Sequence, residues 1–408
     1  MHITEPDDRR HLQAVLWATA MLVIAFLLIQ MSDTAMVRVL IAAACLAVST
    51  LVTVPAVSGN RLSLAFGGAT AIAMLVADGS FDLAGALSTI AIGFLAGWLL
   101  YQFFGDEQLT ARSTAEYLRQ SLGSILFAVL VVPLSTLFES VMREDIALLC
   151  AFLVGVALWF LLETSLWALS TYGRDRLSRR YLFLLAIQDW PVASSLFVVG
   201  ALFAFSWSAL GWWTLPIAVV PYSFAHVAFR RSHVARITYG QTIRALSRIP
   251  EVAHLSPRGH SDRTAELAVS VAQELGMSPD EVQKVEYAAR MHDIGRITLN
   301  EPNIIKIGFT EYDIARWGAE VIAEAPYLAD VASLVRQQHN PYRRPGEQRD
   351  PNLPMASKII KASSAFDHAT NELGFSRLEA LEVLHRGAAY DFDPDVVDAV
   401  RDVVESMR

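Results

Sequence analysis

AARMHDIGR, residues 288–296, is the stretch on which the reading of this chain turns. It closes a segment of helical period that opens at Ser278-Pro279-Asp280-Glu281. That opening supplies an N-cap, a first-turn proline and two acidic residues suited to the positive end of a helix. The pattern predicts a helix through Met291, with Gly295 as its stop, so that His292 and Asp293 stand side by side at a helix end. An imidazole and a carboxylate so placed converge on one divalent cation when a third donor approaches from a neighbouring helix. His260, at the start of an earlier helix, is the natural third donor. That helix is read over Asp262–Leu275 from the apolar positions Ala265, Leu267, Ala268, Val271, Ala272 and Leu275, with Gly276 closing it. Taken alone, a His-Asp pair is equally a capping Asp beside a core His. Strand patterns are absent from residue 260 onward, so this part reads as all-α.

Outward from there, charge divides the chain. Residues 1–229 hold 11 Arg, no Lys and 15 acidic residues, whereas residues 230–408 hold 18 Arg, 4 Lys and 26 acidic residues. With a mean hydropathy of +0.37 over 408 residues, disorder and a plain soluble enzyme are excluded. Neither part is basic enough for binding a nucleic acid duplex. Apolar runs near 12–31, 35–57, 62–78, 82–104, 121–138, 146–169, 181–206 and 209–229 each approach the ~20 residues that cross a bilayer. With the N-terminus inside, the cytoplasmic segments carry Arg9, Arg10, Arg61, Arg112, Arg119, Arg174, Arg176, Arg179, Arg180, Arg230, Arg231 and Arg236, while the outer loops hold little beyond Arg143. That bias predicts eight helices in the lipid of a bacterial plasma membrane, with both termini cytoplasmic. The expected fold class is all-α: a polytopic membrane domain over 1–229, a connecting helix over 230–252, and a cytoplasmic helical domain over 253–408. Cys45 and Cys150 lie in apolar runs and form neither a disulfide framework nor a cysteine zinc site.

Two ionisable residues fall inside spans. Asp189, two residues before Pro191, lies near mid-membrane, and Glu163 lies nearer the cytoplasmic face. Either can belong to a ligand-sensing or proton-sensing site between helices, or be a hydrogen-bonded structural contact. Residues 228–249 predict a helix leaving the membrane, ended by Pro250, that can be a dimer contact, a signal-passing link or a spacer.

Several motifs recur in a known order. TIRALSR at 242–248, RGHSDRTAELA at 258–268, AARMHDIGR at 288–296 and ALEVLHRGAAYDFDP at 380–394 together resemble the HD phosphohydrolase superfamily, and specifically its HD-GYP branch, whose members hydrolyse cyclic di-GMP. The resemblance covers roughly 242–400 and implies an all-helical fold and a metal centre of Mn²⁺, Fe²⁺ or Zn²⁺. On it, His260, His292 and Asp293 match metal ligands, and His339 matches one of two consecutive ligand histidines, with Gln338 in the other position. A further ligand His is missing from the stretch 314–320, the late ligand Asp falls on Ser364, and Pro341-Tyr342-Arg343-Arg344-Pro345-Gly346 replaces the Gly-Tyr-Pro loop. Three of the four ligands of the first metal site remain, but only Asp293 and His339 of the second, so at most one metal site is expected. Asp367, one turn after Ser364, reads as structural.

The resemblance implies metal-assisted hydrolysis, with His292 and Asp293 at the reaction centre and Lys306, near the branch's Asn-Lys-Pro-Gly position, binding phosphate charge. Arg296, Arg343 and Arg344 are further cations, the last two better read as surface. Two functions stand: a membrane-anchored signalling phosphodiesterase for a cyclic dinucleotide or another nucleotide phosphoester, or a catalytically inactive sensor or scaffold that binds a nucleotide or a partner protein, either of them as a possible homodimer. The topology is tested by fusions at Arg408: green fluorescent protein is expected to fluoresce and alkaline phosphatase to be inactive, and the reverse pattern would place the C-terminal domain outside.

Overall fold

The structure is a computed structural model that describes residues 33–34, 36–56, 61–79, 82–104, 114–175, 178–300 and 308–406. The expected span at 12–31 lies outside the described residues. The chain divides into two compact units, one of Met1–Ser170 with Ala186–His233, the other of Thr171–Leu185 with Val234–Arg408.

The first unit is built from α1 (Met36–Leu51), a short hairpin of β1 (Thr53–Pro55) and β2 (Arg61–Ser63), α2 (Ala65–Ala77), α3 (Leu83–Phe104), α4 (Thr114–Glu139), and parts of α5 (Glu144–Asp175), α6 (Arg179–Leu210) and α7 (Thr214–Ser247). Four stretches, Leu83–Gln102, Tyr117–Glu139, Glu144–Leu166 and Arg179–Leu210, are long and apolar enough to cross a membrane; α1 and α2 are apolar but shorter. The hairpin departs from the expected uninterrupted helix at 35–57. Pro55 has no N–H to give and pushes Val54 into extended backbone, so α1 stops at Leu51 and Thr53 pairs antiparallel with Ser63. Helices approach closely where a side chain is missing: a Cβ on Gly97 would lie 2.2 Å from Thr50 Oγ1, and one on Gly200 would lie 2.2 Å from the Gly67 carbonyl oxygen. The packing centre is aromatic, with Trp159 edge-on to Phe66 at 5.1 Å and to Phe197 at 4.7 Å. Glu163 is ion-paired with Arg119. Asp189 lies in α6, which continues through Pro191 without breaking.

The second unit gathers α8 (His260–Glu274), α9 (Pro279–Met291), α10 (Glu311–Ala323), α11 (Ala329–Arg336), α12 (Met355–Asn371), α13 (Arg377–Gly387) and α14 (Pro394–Ser406) around fully buried Val271, Val285, Ile359 and Val400. The connector predicted over 228–249 is the continuation of α7. Local sequence explains the helix ends. Ser278 and Glu281 form the reciprocal capping box of α9. Gly276, at φ +67°, takes the left-handed turn after α8. Asp393 accepts the Asp395 N–H at 3.0 Å and so opens α14 just ahead of Pro394. Buried Arg290 ties α9 to α8 through Asp262 and bonds Glu286 at 3.0 Å within its own helix.

Gly295 does not stop α9, which ends at Met291; it lies in a 3₁₀ run over Ile294–Asn300. Its role is close approach, because a Cβ there would meet the Ile314 carbonyl oxygen at 2.0 Å and Gly318 N at 2.7 Å. Gly295→Ala is therefore expected to lower stability by about 2 kcal/mol or more. Gly240→Ala in α7, whose added Cβ would be 3.8 Å from the Tyr287 hydroxyl, is expected to be neutral or to stabilise by up to ~1 kcal/mol. Thermal unfolding of the two variants side by side checks the contrast.

Candidate metal centre

α8 begins at His260 and α9 delivers His292 and Asp293 at its end, and contact between these helices brings the three side chains together. One ligand atom from each lies within 4.8 Å of the others, and all three residues are buried. The tautomers follow from acceptors. The Asp367 carboxylate, 2.7 Å from His260 Nδ1, accepts a hydrogen bond from the N–H there. The Ala289 carbonyl, 2.8 Å from His292 Nδ1, accepts likewise. With each Nδ1 engaged by its outer partner, the two Nε2 atoms face each other across 3.2 Å, and in the neutral rings both would present lone pairs. Two lone pairs so close repel unless a cation or proton lies between them. Two imidazole nitrogens at this separation could both ligate one divalent cation.

Asp293 completes the set. Its Oδ1 lies 3.6 Å from His292 Nε2 and its Oδ2 lies 3.9 Å from His260 Nε2. The carboxylate is itself oriented, accepting from Ser256 Oγ on Oδ2 at 2.8 Å and from Arg296 Nε on Oδ1 at 2.8 Å. Burial alone would push its pKa up, but His292, Arg296 and His260 together hold it well below the usual carboxylate range. For His260, the Asp367 hydrogen bond and the nearby Asp293 outweigh burial and raise the pKa. For His292, burial wins and lowers it. These neighbours favour one ionised carboxylate beside a neutral ring, which is the ligand state a divalent cation needs.

Asp367, expected to be structural, positions His260 and is held by Arg263 through Nε at 2.6 Å and Nη2 at 3.0 Å. Ser364 Oγ lies 3.3 Å from His292 Nε2 and 3.5 Å from His260 Nε2, beside the point on which the ligands converge. Gln338 donates its amide to the His292 carbonyl at 2.9 Å and so braces the turn that carries the pair. His339 lies apart from the three-residue cluster. It lines the same cavity, its Nε2 is 3.8 Å from Glu311 Oε2, and burial pushes its pKa down to about 4. Arg296 is engaged by Asp293 and, at 3.2 Å, by Glu311. Arg343 stacks over Tyr390 at 5.0 Å and does not line the cavity. Lys306 lies outside the described residues. The cavity has a volume of about 480 Å³ and is walled by His260, Asp293, Arg296, His339, Lys361 and Ser364, among others. Sequence reasoning missed Ser256 and Lys361. Ser256 carries no motif, whereas Lys361 lies one turn before Ser364, a spacing that marks the same helical face.

The family model of the HD domain matches residues 258–367, the segment that supplies this cluster. Residues 258–367 are an HD domain. Over 177 residues the chain is 24% identical to a cyclic di-GMP phosphodiesterase of Thermotoga maritima, covering 39% of this chain and 48% of that protein. It is 26% identical over 177 residues to the cyclic di-GMP phosphodiesterase response regulator RpfG of Xanthomonas campestris pv. campestris, covering 39% and 47%. The chain thus spans about half the length of these curated relatives. A solved HDG"Y"P protein from Bdellovibrio bacteriovorus aligns over 52% of this chain and 72% of that one, with 15% identity and a TM-score of 0.31, a likeness too slight to assign the fold.

Groups that orient metal-binding histidines from behind typically contribute 10–100-fold in metal affinity. Asp367→Ala in the HD domain is therefore expected to weaken Mn²⁺ binding within that range, read by titration of the free-ion electron paramagnetic resonance signal. Unchanged affinity would mean that His260 is oriented without its carboxylate partner.

Proposed function

We propose that this chain is a membrane-anchored, metal-dependent phosphohydrolase that uses a single divalent cation, and that its substrate is a cyclic dinucleotide or a related nucleotide phosphoester. The observation that carries the reading is the convergence of His260 Nε2 and His292 Nε2, 3.2 Å apart, beside the Asp293 carboxylate. The names of the two curated relatives support the substrate class. The four long apolar helices support the anchoring, and the arginine bias of the loops supports a plasma-membrane location with both termini cytoplasmic.

His260, His292 and Asp293 would hold the ion, which when bound supplies Lewis-acid polarisation of a phosphoryl oxygen and acidification of water. Mn²⁺, Fe²⁺ and Zn²⁺ all suit two imidazoles and a carboxylate. Asp293, held ionised by its neighbours, orients water as an acceptor and is a poor proton abstractor at neutral pH. Asp367 accepts the His260 Nδ1–H, which fixes the ring's orientation and leaves Nε2 as the atom that would meet the ion. Ser364 Oγ offers a hydroxyl next to the reaction point and can donate to an attacking or leaving oxygen. The Phe392 ring in the cavity wall gives a nucleotide an apolar surface beside the charged centre.

A second reading rests on Gln338 and Ser364, which stand where the resemblance implies metal ligands. In it, the domain binds a nucleotide or a partner protein without turning it over. The detergent-solubilised full chain distinguishes the two. Bound metal is measured, and hydrolysis of cyclic di-GMP and of bis(p-nitrophenyl) phosphate is assayed with Mn²⁺ or Fe²⁺. Stoichiometry near one ion per chain is expected, with turnover that falls to background in the His292→Ala/Asp293→Ala variant. Metal-free protein that ignores both substrates yet binds nucleotide would overturn the enzymatic reading in favour of the second.

A further inference from the structure

The face of α12 that lines the cavity carries Lys361, Ser364, Ala365, His368 and Glu372, residues three, four, seven and eleven positions on from the lysine. Among the described residues, one arginine and one lysine line the cavity, Arg296 and Lys361. They are held very differently. Arg296 is committed to acidic side chains, with Asp293 at 2.8 Å and Glu311 at 3.2 Å. Lys358, one turn before Lys361 on the same helix, is likewise committed to Asp393 at 2.9 Å and lies outside the cavity lining. Lys361 has no such partner at short range. Its Nζ touches the carbonyl oxygens of His339 and Asn340, both at 3.4 Å. Its nearest carboxylate, the exposed Asp391, is 3.8 Å away. The Phe392 ring lies 5.6 Å from the ammonium.

That environment has a chemical meaning. An ammonium carries three donors; here two carbonyls at 3.4 Å and the Asp391 carboxylate at 3.8 Å hold it only loosely, so an incoming anion can compete for them. The side chain is only 16% exposed, so water compensates its charge poorly, and an anion entering the cavity gains an interaction with little screening. Phosphoryl transfer centres spread developing charge over more than one cation, and many use two metal ions for it. Here one ion has a complete set of three donors, and the ammonium of Lys361 shares the cavity with it.

We propose that Lys361 is the anion-binding residue of this cavity, taking a non-bridging phosphoryl oxygen of an ester held at the His260–His292–Asp293 centre and standing where a second metal ion would otherwise supply charge. The proposal deepens the single-metal reading and rests on it for the placement of the phosphoryl group. The ligand class is a phosphomonoester or phosphodiester anion; a neutral ligand gains nothing from the ammonium.

The test uses the full chain in detergent as wild type, Lys361→Met and Lys361→Arg. Mn²⁺ affinity is measured by electron paramagnetic resonance, and binding of inorganic phosphate by paramagnetic broadening of its ³¹P resonance and by calorimetry. The expected result is equal Mn²⁺ affinity in all three proteins, phosphate affinity at least tenfold weaker in Lys361→Met, and affinity within about threefold of wild type in Lys361→Arg, which also shows that the site survives substitution. Equal phosphate binding by wild type and Lys361→Met, with Mn²⁺ bound by both, overturns the role of Lys361 and leaves the metal reading standing. A wild type that takes no Mn²⁺ overturns the metal reading instead; calorimetry then decides Lys361 separately, since phosphate binding lost in Lys361→Met supports it and wild type that binds no phosphate overturns it.

Discussion

The second unit depends on one local conflict: two buried imidazoles whose Nε2 atoms are aimed at each other with room for one proton or one cation between them. Neither ring can turn away. Asp367 and the Ala289 carbonyl hold the far nitrogens, and both rings are buried. Helix packing around α8, α9 and α12 sets the distance, and the hydrogen bonds behind each ring set the tautomer. The conflict vanishes when a cation takes both lone pairs, so the packing of the apolar core and the affinity for metal are linked. The supporting polar residues follow from this. Arg263 neutralises Asp367, Arg296 and Ser256 orient Asp293, and Gln338 fixes the turn that presents the His-Asp pair. The buried carboxylates Asp293 and Asp367 are thereby satisfied by partners, as the low dielectric of such a site demands.

The centre is asymmetric in charge. One side holds the three converging donors His260, His292 and Asp293, while the side toward His339 has an amide already spent on a backbone carbonyl, a ring whose basicity burial has lowered, and a lysine. A second divalent ion has few donors there. The loss of ligands need not mean loss of chemistry, because positive charge on that side can be built into the protein. On the proposed reading, a lysine beside one metal would be a different electrostatic solution to the same transition state, and a cavity of about 480 Å³ leaves room for a nucleotide-sized anion.

In the first unit the physics is that of helices meeting over small residues. Gly67 and Gly200, and Gly97 with Thr50, bring backbones close enough that no side chain fits between them. Glu163 meets Arg119, so the carboxylate that the sequence marks as unusual in an apolar run has an opposite charge beside it. Pro55 shows the limit of hydropathy. The run at 35–57 is apolar throughout, yet proline geometry ends the helix at Leu51 and opens a hairpin.

Much was legible in the order of residues. The Ser278–Glu281 capping box and Gly276 are local devices whose physics acts within a few residues, and the helices fall where those signals put them. The His260, His292 and Asp293 set was also readable, because adjacent ligands at a helix end need only one more helix to meet them. Gly295 was misread as a stop, since its function is contact with Ile314 and Gly318 from another helix. Lys361 and Ser256 could not be weighed from spacing alone, nor could the tautomers of the two histidines. Capping, period and composition are short-range and are written in neighbouring residues. Which lysine lacks a close carboxylate, which serine reaches Asp293 and which ring nitrogen keeps its lone pair are long-range facts, decided only when the packing of α8, α9 and α12 brings distant residues within hydrogen-bond reach.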